Sequence, residues 1–345
     1  MAPLASTAMA IDPPAGAERR AALLGVKLRA LVGGAAEGSA PAGLGIGVGL
    51  VAEGTAWVLV DVDTAHPADR MLGPALAWAV RQGAERLVVM SDHPLGVVVR
   101  RAGLFDMPIE VRLVDGRSLV DVEAVPVVAE PAVPDEHLGF AAVIAAAGAT
   151  PISEHGVLIG EVAGLEVCRA ITDAHTGEPR LEVGIGAHDR ETFQMLHGAR
   201  PTLEALREVV DHVAAHRAAG APRHPLNLIA ASRLLRARLI EHPGLLGDHE
   251  VTDLTPVSPP MPRTNLKDEL SCAAMAGDGR TLVVCSSGVD LDVVPFAADV
   301  AAMHGADRCL IAVPARDIVA IQQRLAALVR VPTRFVPVDI SPVAP

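Results

Sequence analysis

The sequence has no tyrosine, only two tryptophans and five phenylalanines. A chain this poor in aromatics lacks the stacking platforms that single-stranded nucleic acids use. Lysine occurs only at Lys27 and Lys267, which removes most lysine-dependent mechanisms. The four cysteines, Cys168, Cys272, Cys285 and Cys309, form no CxxC and match no zinc spacing. Their small or apolar neighbours point to buried free thiols and a reducing, cytoplasmic setting. No apolar run is long enough to span a bilayer, so no membrane partner is expected. Met1–Gly16 lacks the charged-then-apolar order of a signal peptide and reads as a disordered leader. The formal net charge of −12 opposes bulk binding to phosphate backbones and anionic lipids.

Half of the residues are hydrophobic, almost all of them Ala, Val and Leu, enough for two or three domains in 345 residues. Residues 17–32 carry Leu24, Leu28 and Leu31 at helical spacing. Leu44–Leu50 alternates Gly with Leu, Ile and Val, as one strand with a glycine face. Its GxGxG is followed by a Glu53-Gly54 turn and a second strand, whereas a dinucleotide fingerprint needs a helix there. The expected element is a hairpin whose glycine face admits a neighbour closely.

From Trp57 the pattern runs strand (57–61), helix (69–82), strand (86–91), helix (94–103), strand (109–114). Residues 281–339 repeat it, with strands at 281–285, 308–313 and 333–338 and helices at 292–304 and 315–328. Gly83-Ala-Glu-Arg-Leu87 echoes Gly305-Ala-Asp-Arg-Cys309, and Pro74 echoes Pro295. Alternating strands and helices with short loops imply parallel strands. The fold class expected is therefore α/β: two similar βαβαβ lobes flanking a central α+β unit with a β-hairpin and helices. The boundaries are an N-terminal lobe at 17–120, a linker at 121–137, the central unit at 138–252, a Pro-rich linker at 253–276 and a C-terminal lobe at 277–345.

The central unit holds the main chemical signal. Strands Gly164–Ala170 and Arg180–Gly186 pair about residue 174 in the simplest hairpin, which sets Glu166 directly opposite Glu182. Facing carboxylates destabilise a sheet. They need a cation, solvent or a shared proton. A divalent metal would serve, as would Arg169 or Arg180. The helix at 138–148, Gly160–Glu166 and Leu181–Val183 together resemble the helix–β–β–β core of the PD-(D/E)xK nucleases. That resemblance implies Mg²⁺-dependent phosphodiester hydrolysis, with Glu161, Glu166 and Glu182 as metal ligands. It departs from the family at Gly184, where the catalytic lysine would stand. His188 or Arg190 would then replace it by orienting water or phosphate; alternatively Asp189 only caps the next helix. Residues 217–240 carry Arg217, Arg223, Arg233, Arg236 and Arg238 without an acid. Arg233 and Arg236 are candidate substrate-phosphate contacts; alternatively the run is a solvated face or an ion-pair partner for an acidic half of the chain. The stripe Glu204, Glu208, His212 and His216 is expected to face water, opposite Leu206 and Val210.

In the flanking lobes, Asp61 and Asp63 after one strand and Ser91 ending the next look like a haloacid-dehalogenase motif pair, without that family's lysine. Cys285–Asp290 forms a small-residue loop able to cradle an anion. Three functions remain open: a nuclease-like protein, active or an inactive descendant; a small-ligand or nucleotide-binding α/β protein without catalysis; or an assembly protein, with a homo-oligomer among its forms. The partners to expect are nucleic acid or a phosphorylated small molecule.

Overall fold

The computed structural model describes residues 14–62, 67–186, 189–191, 203–218, 220–222, 224–248, 250–261 and 271–339. Most of the leader read at 1–16 lies outside them, and Pro14 already opens a helix. The chain forms two compact units, Met1–Val125 and Pro126–Pro345.

In the first unit, helix α1 (Pro14–Val32) packs on a six-stranded sheet of order β1-β2-β3-β4-β5-β6. Its strands are β1 (Ala42–Leu44), β2 (Gly47–Ala52), β3 (Thr55–Val60), β4 (Arg86–Ser91), β5 (Ile109–Asp115) and β6 (Ser118–Asp121). The expected single strand over 44–50 is instead split by a turn between β1 and β2. The next turn, at Glu53 and Gly54, has positive φ at both residues (50° and 73°) and joins β2 to β3 with Ala52 opposite Thr55. Two such residues match the twist of the flanking strands. A Cβ on Gly49 would lie 2.7 Å from the Trp78 ring, so the glycine face does receive a close neighbour. Strands β3, β4 and β5 are parallel, joined by α2 (Leu72–Arg81) and α3 (Gly96–Ala102). β4 is buried at every position after Arg86, as a strand covered on both faces must be.

The second unit contains two sheets. The central one is wholly antiparallel, β10-β9-β8-β7, from β7 (Thr150–Glu154), β8 (Val157–Val162), β9 (Leu165–Thr172) and β10 (Pro179–Val183). β8 turns back into β9 at Ala163-Gly164, both at positive φ. One face is the core, where Leu158, Val162, Leu165, Leu181 and Val183 meet Ile144 of α5 (Ala141–Ala146), a helix preceded by the short α4 (Asp135–Leu138). Leu206, Val210 and Val213 of α6 (Leu203–Arg217) close the same core, and Glu204, Glu208 and His212 lie on its exposed side.

Residues 225–241 form two helices, α7 (Pro225–Leu228) and α8 (Ala231–Glu241), separated by Ala230 at φ 51°. A left-handed alanine costs about 1–2 kcal/mol. Buried Arg217 offsets that by donating to the carbonyls of Leu226, Ile229 and Ala230 as well as Ala163, charge-assisted bonds of about 1.5–3 kcal/mol each.

The C-terminal sheet has order β11-β12-β13-β14-β15, built from β11 (Thr255–Val257), β12 (Cys272–Met275), β13 (Thr281–Cys285), β14 (Arg308–Pro314) and β15 (Thr333–Val338). β13, β14 and β15 are parallel, joined by α9 (Val293–His304) and α10 (Ala320–Ala326). The segment 253–276, read as a linker, thus supplies two antiparallel strands. Pro256 is tolerated because β11 is an edge strand. Both flanking lobes therefore run helix, two antiparallel strands, then three parallel strands with helical crossovers: α1 to β5 in one, α8 to β15 in the other. All four cysteines are buried free thiols, and burial pushes Cys168 and Cys309 up to about 12.

Candidate functional site: the charged face of the central sheet

The face of the central sheet opposite its core carries charges. Glu182 pairs with Arg169 in register, and Arg169 with Ile159. The expected pairing of Glu182 with Glu166 is thus displaced by three residues. The cause is the connection between β9 and β10, which closes as an Asp173–Glu178 loop. Asp173 accepts from the N–H groups of His175 and Thr176 at 2.9 and 3.0 Å, and its own N–H donates to Glu178. Pro179 then faces Thr172.

An odd displacement alone would turn Glu166 to the core. A bulge in β9 turns it back. Gly160 pairs with Cys168 but Glu161 pairs with Glu166, leaving Val167 as the extra residue. Val167 and Cys168 are both buried in the core, so Glu166 emerges on the same face as Arg169. Re-aiming a side chain is what a bulge does. Glu154, Glu161, Glu166, Arg169 and Glu182 consequently share one face.

Each acid on this face is held by arginine. Arg169 grips Glu166 with Nε and Nη2 at 2.7 and 3.0 Å. Arg190 reaches Glu166 with Nη1 at 3.3 Å and Glu182 with Nε at 3.4 Å. Arg180 donates to Glu182 at 3.0 Å and lies 3.1 Å from Asp173. From α8, Arg233 donates to Glu161 and Glu154, both at 2.5 Å, and Arg236 donates to both oxygens of Glu161 at 3.3 and 3.0 Å. Arg236 is 2% exposed and Glu161 and Glu166 are 4% and 3%, so these pairs lie outside bulk water.

The electrostatics follow. Burial opposes ionisation of Glu154, but Arg233 beside it holds the carboxyl below its usual value. The Glu166 hydrogen bond raises Arg169 against burial. Burial and the neighbouring Arg169 pull Arg190 below its ordinary value, against Glu166 and Glu182. Glu154 Oε2 and His155 Nε2 have no hydrogen-bond partner among the described residues and line a small pocket of about 130 Å³ with Glu166 and Arg169.

The expected site residues are therefore only partly assembled as the sequence suggests. Glu166 and Glu182 converge, through Arg190 rather than by facing each other. Glu161 joins a separate pair of arginines. Arg233 and Arg236 are buried ion-pair partners, which removes them as surface contacts for a substrate phosphate. His188 lies outside the described residues. Asp189 accepts the N–H of Ile185, four residues before it, at 2.7 Å, whereas the expected helix cap would accept from residues that follow it. No group of three or more His, Cys, Asp or Glu among the described residues is arranged to hold a metal ion. Glu154 was not foreseen, because β7 carries no clear alternation and its acid follows Ser153 without a motif.

The rival constellations have partners of their own. Asp61 is ion-paired with Arg20, Ser91 Oγ accepts from the His93 N–H, and Asp63 lies outside the described residues. The Ser286–Gly288 loop already receives a carboxylate, since Gly288 N–H donates to Asp317 at 2.8 Å. No helix among the described residues is long and apolar enough to cross a membrane. No family model matches the chain, and no curated protein or solved structure does either.

Proposed function

We propose that this chain is a non-hydrolytic binding protein, built on a nuclease-like central unit whose acids hold arginines in place of Mg²⁺. One observation carries the reading: a single guanidinium, Arg190, spans the two carboxylates that the PD-(D/E)xK resemblance assigns to the metal. A divalent ion there would meet Arg169, Arg180 and Arg190 at once, and like charges at such range repel strongly in a buried site. These residues do not fit a resident Mg²⁺, and no hydrolytic step is derived through one. Arg190 fills the cation position itself.

The arginine lock also has a mechanical role. α8 packs Leu235 and Leu239 into the C-terminal core, while Arg233 and Arg236 tie it to Glu154 and Glu161 of the central sheet. In this reading the charged face became an internal joint, and the two α/β lobes descend from one duplicated module.

Calorimetric titration with Mn²⁺ and a supercoiled-plasmid cleavage assay test the proposal together. The wild type should bind no Mn²⁺ with measurable heat and cleave nothing, and Glu182→Ala should behave identically. Mn²⁺-dependent cleavage by the wild type that vanishes in Glu182→Ala refutes it.

A further inference from the structure

At the Arg236–Glu161 edge of the charged face lies a cavity of about 810 Å³. It lies between β7, the β8–β9 turn, the C-terminal end of α6, α8 and the end of β15. Its volume falls in the range of about 300–1,000 Å³ typical of small-molecule sites. Ile152, Val162, Leu234, Ile240, Leu245 and Val338 form apolar walls.

The charges at this cavity decide the class of ligand. Arg217, Arg236 and Arg238 line it, opposed by Glu161, Glu241 and Asp339. The two deepest arginines are committed. Arg217 serves four backbone carbonyls, and Arg236 serves Glu161 and the Ala273 carbonyl. Arg238 and Asp339 have interactions of their own as well. A phosphate entering here would find the donors of Arg217 and Arg236 already engaged and three carboxylates in the same lining, and would lose its hydration with little return. An apolar body with a single uncharged polar end loses only unfavourable hydration against these walls.

We propose that this cavity binds a small, uncharged amphipathic molecule and disfavours phosphorylated ones. The site goes beyond the arginine lock and does not depend on whether the central unit hydrolyses anything.

Titration of the full chain with Nile red, a neutral solvatochromic dye, tests the site. Saturable enhancement with one dye per chain is expected. Ala237→Trp, which fills the cavity from α8, and Ala218→Trp, which fills it from the end of α6, should each weaken binding about tenfold or more, a loss of about 1.4 kcal/mol per decade. Thermal unfolding identifies a variant that fails to fold, and the other then carries the test. Displacement separates the ligand classes: 1-octanol should displace the dye at lower concentration than octyl phosphate. Absence of saturable binding, unchanged affinity in a folded Trp variant, or octyl phosphate matching or surpassing 1-octanol would each overturn the proposal.

Discussion

Removing one charge from the α8 joint should cost far more than removing two. Glu154, Glu161, Arg233 and Arg236 sum to zero charge, and all four are at most 9% exposed. Glu161→Met leaves two guanidinia sharing one carboxylate, with Arg236 retaining only the Ala273 carbonyl. Arg236→Met leaves two carboxylates on one guanidinium. Breaking a buried pair on one side costs about 3–5 kcal/mol. For a unit of this size that is about 6–20 °C in Tm, at about 2–4 °C per kcal/mol. The double variant Glu161→Met/Arg236→Met restores neutrality, with Arg233 still serving Glu154, and methionine fills similar volume. Such replacements are neutral or stabilising by up to about 4 kcal/mol. Urea unfolding of the four proteins closes a double-mutant cycle, with an expected coupling of a few kcal/mol. Two results would refute the reasoning. Single variants losing under about 1 kcal/mol would mean the pair is screened as surface pairs are. A double variant as unstable as its parents would place the cost in packing rather than charge.

Two further outcomes test the backbone and the acid limb. Gly164→Ala places a Cβ 2.3 Å from the Arg233 backbone at φ +79°, whereas Gly177→Ala meets open space at φ +69°. The unfolding free energy from urea titration should fall by the strain of about 1–2 kcal/mol at Gly177, and at Gly164 by that plus about 1–3 kcal/mol of overpacking; equal effects would contradict the close approach of α8 to that turn. Glu154 is held below the unfolded glutamate value of about 4.3. Its contribution is therefore complete above that pH and is lost as pH falls through the folded-state value. Glu154→Gln should lose stability at pH 7, and its gap from wild type should narrow on acidification below about pH 4; a gap constant down to pH 3 would remove Glu154 from the acid limb.

The parallel halves of both lobes were legible because strands covered on both faces leave unbroken apolar runs such as Arg86–Ser91 and Arg308–Pro314. The antiparallel strands were not. β11 contains Pro256 and reads as a loop, and β12 is only four residues, three of them small, with no alternation. The break at Ala230 is invisible locally, since Leu228 to Leu239 has the composition of one helix. It depends on Arg217, a residue distant in sequence. The charged face was read partly by cancellation. The hairpin register is displaced by three, which inverts faces, and the bulge at Val167 inverts them again. The register is set by the Asp173 side chain in the connecting loop, and the bulge breaks the alternation of β9 locally by sending Val167 and Cys168 to the same core. Glu166 and Glu182 thus reach a common partner by a route the alternation does not encode.

The helix that opens each lobe shows why the arginines belong to the joint and not to a substrate. α1 and α8 occupy the same place in their modules, α1 packed against β2 and β3 and α8 against β12 and β13, the second and third strands of each sheet. On α1 the side turned from its sheet is exposed, with Leu23 and Val26 at 65% and 68%. On α8 the corresponding side is covered, and Arg233 and Arg236 are buried against the central sheet. A helix face covered by a sheet must match what the sheet presents. The central sheet presents Glu154 and Glu161, and hydrophobic side chains there would have left both carboxylates buried without partners, at several kcal/mol each. Arg233 gives one nitrogen to each carboxylate and Arg236 adds a second guanidinium to Glu161, and arginine stays charged across the physiological range. Within the charge run of residues 217–240, Arg233 and Arg236 are therefore the imprint of the acidic face they cover.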